Sequence, residues 1–285
     1  MAAVYGALAG MLFGAMGVVL RIGLDRGGDA EGGAAIAAAV GACTAVVIAV
    51  AGGGDVVPAE LWPFALAGAF VPGVSSIVMF HSIRLAGPSR ALVVIGAAPL
   101  LSVVLALLLL DEPFVPELAI GTVLVVAAGM LLAGEARPQH VRVLGLVLAL
   151  TCAAMFAGRD ILARWAAREE HPPPLVATAT SLTFATAAVL TWLVVVRRRT
   201  IAERLQRGRG AFLVAGLCLG LAYAALLSGL DTGRVTVVAP LNATQSLWGV
   251  VFAALLLRRT EAIGRRIVLA AVLVVAGGAL IGVFR

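Results

Sequence analysis

The chain has 285 residues, of which 62% are apolar and only 13% are charged, whereas soluble domains average roughly 45–50% apolar and about 25% charged residues. With a mean hydropathy of +1.08, this composition excludes a soluble single domain. The net charge of +6 comes from 21 basic residues, all of them arginine. Most of the arginines lie in short breaks between apolar runs, which is typical of the loops of a membrane protein and not of a nucleic-acid-binding surface.

Ten apolar runs follow one another along the chain, and each is long enough to cross the hydrocarbon core as a helix. The first run starts at Val4 with no charged segment before it and no cleavage site after it, so we expect a mature span and not a signal peptide. The runs cover residues 4–20, 33–51, 61–81, 89–110, 117–134, 143–163, 175–196, 211–230, 235–257 and 266–283. The sequence therefore predicts an all-α integral membrane protein with ten transmembrane helices.

The two halves of the chain resemble each other in sequence. The run from Val123 to Gly129 recurs, with small changes, from Val272 to Gly278. Each half holds five spans, an odd number, so a direct repeat in sequence must be inverted in the membrane. We predict a first five-helix repeat over residues 1–137, a connector over 138–142 and a second five-helix repeat over 143–285.

The arginines are distributed unevenly between the two sides of the membrane. Sixteen fall on the side of the loops that follow the odd-numbered helices, and five on the side of the two termini. The positive-inside rule then places both termini outside the cytoplasm.

Two adjacent charged residues, Arg159 and Asp160, lie within the sixth apolar run. Charges inside a membrane are costly, so each is a candidate functional residue. Because neighbouring side chains on a helix point about 100° apart, we expect no face-to-face pairing between them and a separate partner for each. Arg159 could hold a carboxylate or phosphate with its two-pronged donor geometry, and Asp160 could be a protonatable coupling site. The alternative is that both reach an interface and only anchor the helix.

Other polar and aromatic residues extend the candidate set. His81, near the end of the third run, is a second candidate for proton coupling because histidine titrates near neutral pH. In the ninth run Asn242, Gln245 and Ser246 share or adjoin one helical face, which predicts either a polar cavity wall or hydrogen bonds between packed helices. Proline in the fourth and ninth runs, Pro99 and Pro240, predicts a kink in each helix. Aromatic candidates for substrate contact are Trp248, Tyr223, Phe156 and Phe13.

Several of these features together resemble the EamA-type branch of the drug/metabolite transporter superfamily. They are Leu12-Phe13-Gly14 in helix 1, Pro99 in helix 4 and the sequence Leu-Leu-Asp-Glu-Pro ending at Pro113, with Glu261 and Gly278 echoing the pattern in the second half. The resemblance implies a secondary transporter with a central cavity lined by helices 1, 3, 4, 6, 8 and 9. It also implies cytoplasmic termini, opposite to the arginine distribution, so the orientation stays open at this point.

We therefore predict a secondary active transporter, an exporter of a small polar or amphipathic metabolite such as an amino acid or organic anion, working by alternating access. The alternatives are a lipid or lipid-phosphate flippase of the same fold and a multidrug exporter. No cluster of residues suggests an enzyme, a metal site or a cofactor. The expected partners are a small-molecule substrate, membrane lipids and, for coupling, protons, with no nucleic acid, and the expected location is a prokaryotic-type cytoplasmic membrane.

Overall fold

The computed structural model describes residues 1–53, 57–86, 88–133, 143–197, 209–257 and 265–284. Over these residues the chain forms ten helices that cross in alternating directions, and no strand. They are α1 (Ala2–Asp25), α2 (Ala30–Gly52), α3 (Trp62–Ala86), α4 (α4a, Pro88–Ile95; α4b, Ala98–Leu109), α5 (Pro116–Ala133), α6 (Val143–Glu169), α7 (Pro174–Arg197), α8 (Arg209–Thr232), α9 (α9a, Val235–Asn242; α9b, Gln245–Leu257) and α10 (Arg265–Val283).

Eight of these helices are long and apolar enough to cross a membrane, and the shorter apolar helices α5 and α10 complete the ten. The prediction of an all-α membrane protein with ten spans is confirmed. Helix α2 begins at a capping group, because the carboxylate of Asp29 accepts a hydrogen bond of 2.8 Å from the backbone N–H of Gly32.

The helix contacts repeat when the first half of the chain is exchanged for the second. Helix α1 packs on α8 and α9, and the equivalent helix α6 packs on α3 and α4. Likewise α2 packs on α8 as α7 packs on α3, while the equivalent helices α2 and α7, and α5 and α10, pack on each other. This pattern is that of two five-helix repeats, inverted because each holds an odd number of spans. The predicted connector, 138–142, and the end of the predicted first repeat lie outside the described residues.

Two equivalent helices, α4 and α9, are interrupted near the middle of the membrane. A turn at Gly96 and Ala97 separates α4a from α4b, and a turn at Ala243 and Thr244 separates α9a from α9b. Pro99 lies in the first turn of α4b, directly after the first break, where its missing N–H leaves no helical hydrogen bond unmade. Pro240 lies inside α9a, three residues before the second break. The prediction of kinked fourth and ninth helices is confirmed.

Glycines let α1 approach the break in α9. A Cβ atom on Gly10 would lie 2.7 Å from the Thr244 hydroxyl oxygen, and one on Gly14 would lie 2.6 Å from the Cβ of Trp248. Such distances are too short for any larger residue. Gly10 and Gly14 therefore lie on the surface of α1 that packs against α9, as membrane helices with glycine at their contacts do.

Candidate functional site

Arg159 and Asp160 form a buried ion pair. The Asp160 Oδ1 atom accepts hydrogen bonds from Arg159 Nη2 at 2.7 Å and Nε at 3.0 Å, and the exposed fractions of the two residues are 6% and 4%. The prediction that these neighbours do not pair is wrong. Their Cβ atoms do diverge around the helix, but the arginine side chain is long enough to reach back to the carboxylate.

A second partner of Arg159 comes from α8. Arg159 Nη1 donates to the hydroxyl oxygen of Tyr223 at 3.2 Å, and that hydroxyl donates to the backbone carbonyl of Val71 at 2.9 Å. Val71 has non-helical backbone angles at an irregular turn of α3, next to Pro72. The irregular turn of α3 leaves the Val71 carbonyl oxygen free of an α-helical hydrogen bond. Its bond from the Tyr223 hydroxyl holds that side chain beside the guanidinium.

A second partner of Asp160 comes from α4b. The Ser102 hydroxyl oxygen lies 3.0 Å from Asp160 Oδ2 and 3.2 Å from the carbonyl oxygen of Ala98. Ser102 is fully buried. The two oxygens of the Asp160 carboxylate thus have different surroundings, since Oδ1 faces the guanidinium and Oδ2 faces a hydroxyl.

Aromatic rings enclose the arginine. The guanidinium carbon of Arg159 lies 5.5 Å from the centre of the Phe156 ring and 5.6 Å from that of Tyr223, distances at which a cation is attracted to the ring face. Phe13 from α1 meets Tyr223 edge to face, with 5.8 Å between ring centres. Phe13 and Phe156 are only partly buried, so the aromatic side of this group is its accessible side.

We call this group of residues the central cluster, and it lies deep in the membrane. Arg159 is ten residues before the end of α6, and Tyr223 is nine residues before the end of α8, which at 1.5 Å per residue puts both about 15 Å from those helix ends. A hydrocarbon core is about 30 Å thick, so the depth is close to its middle. Both side chains of the pair are buried among other helices, which favours a functional role over an interfacial anchor. The members of the central cluster are Phe13, Ser102, Phe156, Arg159, Asp160 and Tyr223.

The histidine candidate lies elsewhere. The His81 Nδ1 atom is 2.9 Å from the carbonyl oxygen of Ile77 in its own helix, and its ring meets that of Trp192 edge to face. Its side chain is exposed. His81 is thus on the outer side of the α3 and α7 pair, and the structure does not bring it to the central cluster.

The candidates of α9 line the break in that helix. Asn242 ends α9a, and its side-chain oxygen is buried with no hydrogen-bond partner among the described residues. Gln245 and Ser246 are exposed. Trp248 stacks on Phe252 with 6.0 Å between ring centres. The structure therefore places these residues at the α9 break, with Trp248 packed on its own helix.

Charged residues also collect at the end of the molecule that holds the N-terminus, which we call the termini end. Glu112, Arg164 and Arg168 each bond to the backbone at a helix terminus there. Glu112 accepts from the N–H of Val235 at 2.9 Å and from the N–H and hydroxyl of Thr236 at 3.1 and 2.8 Å. These three charged residues form the termini-end set.

The two arginines of the termini-end set complement Glu112. Arg164 Nη1 donates to the carbonyls of Leu230 and Asp231, each at 2.7 Å, where α8 ends. Arg168 Nη1 donates to the carbonyl of Leu110 at 2.9 Å, just beyond α4b. A carboxylate at a helix start and cations at helix ends match the partial charges that the helix dipoles place there.

Sequence reasoning missed four members of these arrangements, namely Ser102, Glu112, Arg164 and Arg168. Ser102 is the single hydroxyl within the apolar stretch 91–110, and no motif marks it. Glu112 was recognised only as one residue of the Leu-Leu-Asp-Glu-Pro pattern, without its role as the cap of α9a. The contact between Glu112 and the start of α9a, 123 residues later, cannot be predicted from the spacing of residues along the sequence.

Comparison with known proteins identifies a family and a fold. The model of a family described as the EamA-like transporter family matches residues 1–134 and 143–283. A search of curated proteins finds no match. A solved structure described as "Crystal structure of protein" superposes with a TM-score of 0.82 at 19% sequence identity, covering 100% of this chain and 99% of that one. At this identity the likeness establishes a shared fold.

Proposed function

The chain belongs to the EamA-like transporter family and is a multi-pass membrane protein, and from this premise we propose that it is a secondary active transporter of a small metabolite that carries a carboxylate or phosphate group. The family is one of transporters and not of enzymes. The finer proposals are export from the cell, a prokaryotic-type cytoplasmic membrane and alternating access around the central cluster.

The observation that carries the proposal is the guanidinium of Arg159, buried at the middle of the membrane among side chains. Arginine has five N–H groups, and the bonds to Asp160 and Tyr223 use three of them. The other two N–H groups have no hydrogen-bond partner among the described residues and are available to a ligand. A planar guanidinium with free donors and aromatic walls suits a carboxylate or phosphate.

Charge balance narrows the class of substrate. Arg159 and Asp160 together are neutral, and an unpaired charge at this depth is costly. A zwitterion such as an amino acid keeps the site neutral, because its carboxylate faces Arg159 while its ammonium group faces Asp160. A simple anion keeps the site neutral only when a proton binds as well, for which Asp160 is the candidate. The proposal therefore covers amino acids, which bind without protonation of Asp160, and organic anions, which bind together with a proton on Asp160.

The two interrupted helices supply the route. Substrates of inverted-repeat transporters bind near the midplane, where discontinuous helices free polar groups. At the termini end α4b packs against α9a, and in the described part of the chain no comparable contact joins α4a to α9b in the opposite half. Both segments of α4 also pack against α6, and both segments of α9 pack against α1. This arrangement supports a state closed at the termini end. The unpartnered side-chain oxygen of Asn242 is then a candidate acceptor for a donor group of the substrate.

A thermal-shift screen of the detergent-purified protein tests the proposal. The panel contains amino acids, phosphorylated metabolites, nucleosides and lipophilic cations, each at acidic and at neutral pH. A ligand at about 100 times its dissociation constant stabilises the folded protein by roughly 2.7 kcal/mol, which is readily seen in a melting curve. We expect zwitterions to stabilise the protein at both pH values and simple anions to do so only at acidic pH.

The variants Arg159→Lys and Arg159→Ala show whether the guanidinium is the binding group, and Arg209→Ala, an exposed arginine at the start of α8, is the matched control. We expect the ligand-induced shift to disappear in both Arg159 variants and to persist in Arg209→Ala. Hits are then tested for counterflow in vesicles, which a carrier shows and a channel does not. Equal stabilisation of parent and Arg159 variants by neutral or cationic compounds would contradict the proposal.

A further inference from the structure

Ser102 is the only polar side chain that α4 brings to the central cluster among the described residues. It lies three residues after Pro99, at the start of α4b, and is fully buried. Its contact with Asp160 joins the two repeats, because α4 belongs to the first and α6 to the second. A lone hydroxyl in an apolar run, placed against a buried carboxylate, requires a reason.

The hydroxyl has two neighbours but a single proton. Ser102 Oγ is 3.0 Å from Asp160 Oδ2 and 3.2 Å from the carbonyl oxygen of Ala98. A hydroxyl donates one hydrogen bond and accepts up to two, while a carbonyl oxygen can only accept. The two contacts therefore cannot both be donated by Ser102 at the same time.

Each protonation state of Asp160 selects one arrangement. When Asp160 is ionised, Ser102 donates to Oδ2. When a proton from water binds Oδ2, the carboxylic acid O–H donates to Ser102 Oγ, and Ser102 turns its own O–H to the Ala98 carbonyl. Release of that proton to water reverses both rotations. The Arg159 hydrogen bonds to Oδ1 persist in both states, but protonation removes the counter-charge of Arg159, so the protonated state is the one in which an anionic ligand balances the guanidinium. In both states Oδ2 and the hydroxyl keep a hydrogen bond, which avoids the cost of an unpaired buried polar atom.

The rest of the cluster directs the proton to this oxygen. Oδ1 already accepts two hydrogen bonds from Arg159, so Oδ2 is the free site. The charged and titratable groups that face Asp160, within the described residues, are Arg159 on the same helix and Tyr223 from α8. Among the residues that the structure describes, helix α4 contributes the Ser102 hydroxyl to these surroundings, and α3 contributes the Val71 carbonyl that accepts from Tyr223.

We infer that Ser102 is a positioning residue that keeps Asp160 Oδ2 hydrogen-bonded in both protonation states, so that Asp160 can take up and release a proton inside the membrane. This inference rests on the proposed function, in which Asp160 is the candidate coupling group. It adds to that function a residue of the first repeat, on the interrupted helix α4, whose hydrogen bond changes direction with the protonation of Asp160 in the second repeat.

Infrared difference spectroscopy of the full chain in phosphatidylcholine vesicles, recorded as the pH is changed in the presence of inorganic phosphate, tests the inference, because phosphate supplies the negative charge that balances Arg159 when Asp160 is protonated. We expect a carbonyl band of a protonated carboxylic acid that is absent in Asp160→Asn. In Ser102→Ala the acid loses its acceptor, so the band moves to higher frequency. Ser102→Thr, which keeps the hydroxyl, leaves the band where it is. If Asp160→Asn does not fold, carboxyl-labelled aspartate assigns the band together with the Ser102→Ala shift.

The matched control is Thr122→Val, which removes another fully buried hydroxyl, one that donates only to the carbonyl of Leu118 in its own helix. The band is expected to be unchanged in this variant. A band with the same frequency in Ser102→Ala and parent would overturn the inference, as would the absence of any aspartic acid band over the pH range in which the protein stays folded. Neither result bears on ligand binding by Arg159, which the thermal-shift screen measures separately.

Discussion

The central cluster and the termini-end set both hold charged side chains among the helices, but these side chains bond to different kinds of partner. At the termini end Glu112, Arg164 and Arg168 bond to backbone groups that helix ends leave unpaired. In the central cluster Arg159 and Asp160 bond to each other and to the hydroxyls of Tyr223 and Ser102. A side chain that caps a helix end cannot change its partner without leaving backbone groups unpaired. Side chains that bond to other side chains can change partners without uncapping a helix.

This difference separates a structural from a functional use of charge in the membrane. Helix dipoles and unpaired backbone groups are permanent, so charges that meet them stabilise one arrangement. A pair of side chains costs free energy to bury and returns little net stability. Arg159 and Asp160 therefore contribute little to stability as a pair, and they are suited to binding a substrate or a proton reversibly.

The largest effect is expected from Asp160→Ala. This change leaves the Arg159 guanidinium buried without its counter-charge, which should lower the free energy of unfolding by about 3–5 kcal/mol. A thermal or denaturant melt of the purified protein in detergent measures the loss. A change below about 1 kcal/mol would show that water reaches the pair, and the contrast with the termini end would fail.

The double variant Arg159→Met with Asp160→Leu sharpens this result. Replacing both partners by apolar residues of similar size removes the buried charge altogether, so stability should return to within about 1 kcal/mol of the parent or rise above it. Ligand binding should nevertheless be lost. A double variant as unstable as Asp160→Ala would assign the pair a structural role.

A smaller loss, with the opposite functional outcome, is expected from Glu112→Ala. The Glu112 carboxylate accepts three hydrogen bonds at the start of α9a, and loss of a helix cap typically costs about 1–2 kcal/mol. The melting temperature should fall while the ligand-induced shift at saturation stays as in the parent. Loss of ligand binding without loss of stability would place Glu112 in the substrate path.

The sequence predicts the architecture of this protein well. Ten apolar runs, the recurrence of Val123–Gly129 and the two prolines Pro99 and Pro240 were enough for the number of spans, the inverted repeat and the two interrupted helices. These features are local, or they compare one stretch with another. The length of a run and the loss of one N–H act in the same way wherever the helix lies.

The central cluster was predictable only in part. Arg159 and Asp160 stand out because charges in apolar runs are rare, but their pairing depends on the length and bending of the arginine side chain. Ser102 and the Val71 carbonyl come from helices distant in sequence. Their positions follow from how α3 and α4b pack on α6, which no spacing along the chain records.

A moderate effect is expected from Tyr223→Phe. The variant keeps the ring beside Arg159 but loses the bonds to Arg159 and to the Val71 carbonyl. Hydrogen bonds between membrane helices contribute about 0.6 kcal/mol on average and at most about 1.7, so we expect a loss of about 1 kcal/mol. Affinity for the ligand should fall as well, because the guanidinium is less firmly held. Titration of the thermal shift with ligand separates the two effects.

The smallest effect is expected from Arg168→Gln at the termini end. The Arg168 side chain is exposed, and its bond to the Leu110 carbonyl is one that water or the new amide can replace, so the loss should be about 0.5 kcal/mol. Arg164→Gln should cost more, because Arg164 is more deeply placed and holds two carbonyls at the end of α8. The difference between the melting curves of Arg168→Gln and Arg164→Gln shows how much the stability gained from capping a helix end depends on the burial of the arginine. Equal losses would mean that exposure does not govern the strength of these contacts. A loss of ligand binding in Arg168→Gln would mean that the termini end belongs to the binding site, and the division between the two groups of charges would then have to be abandoned.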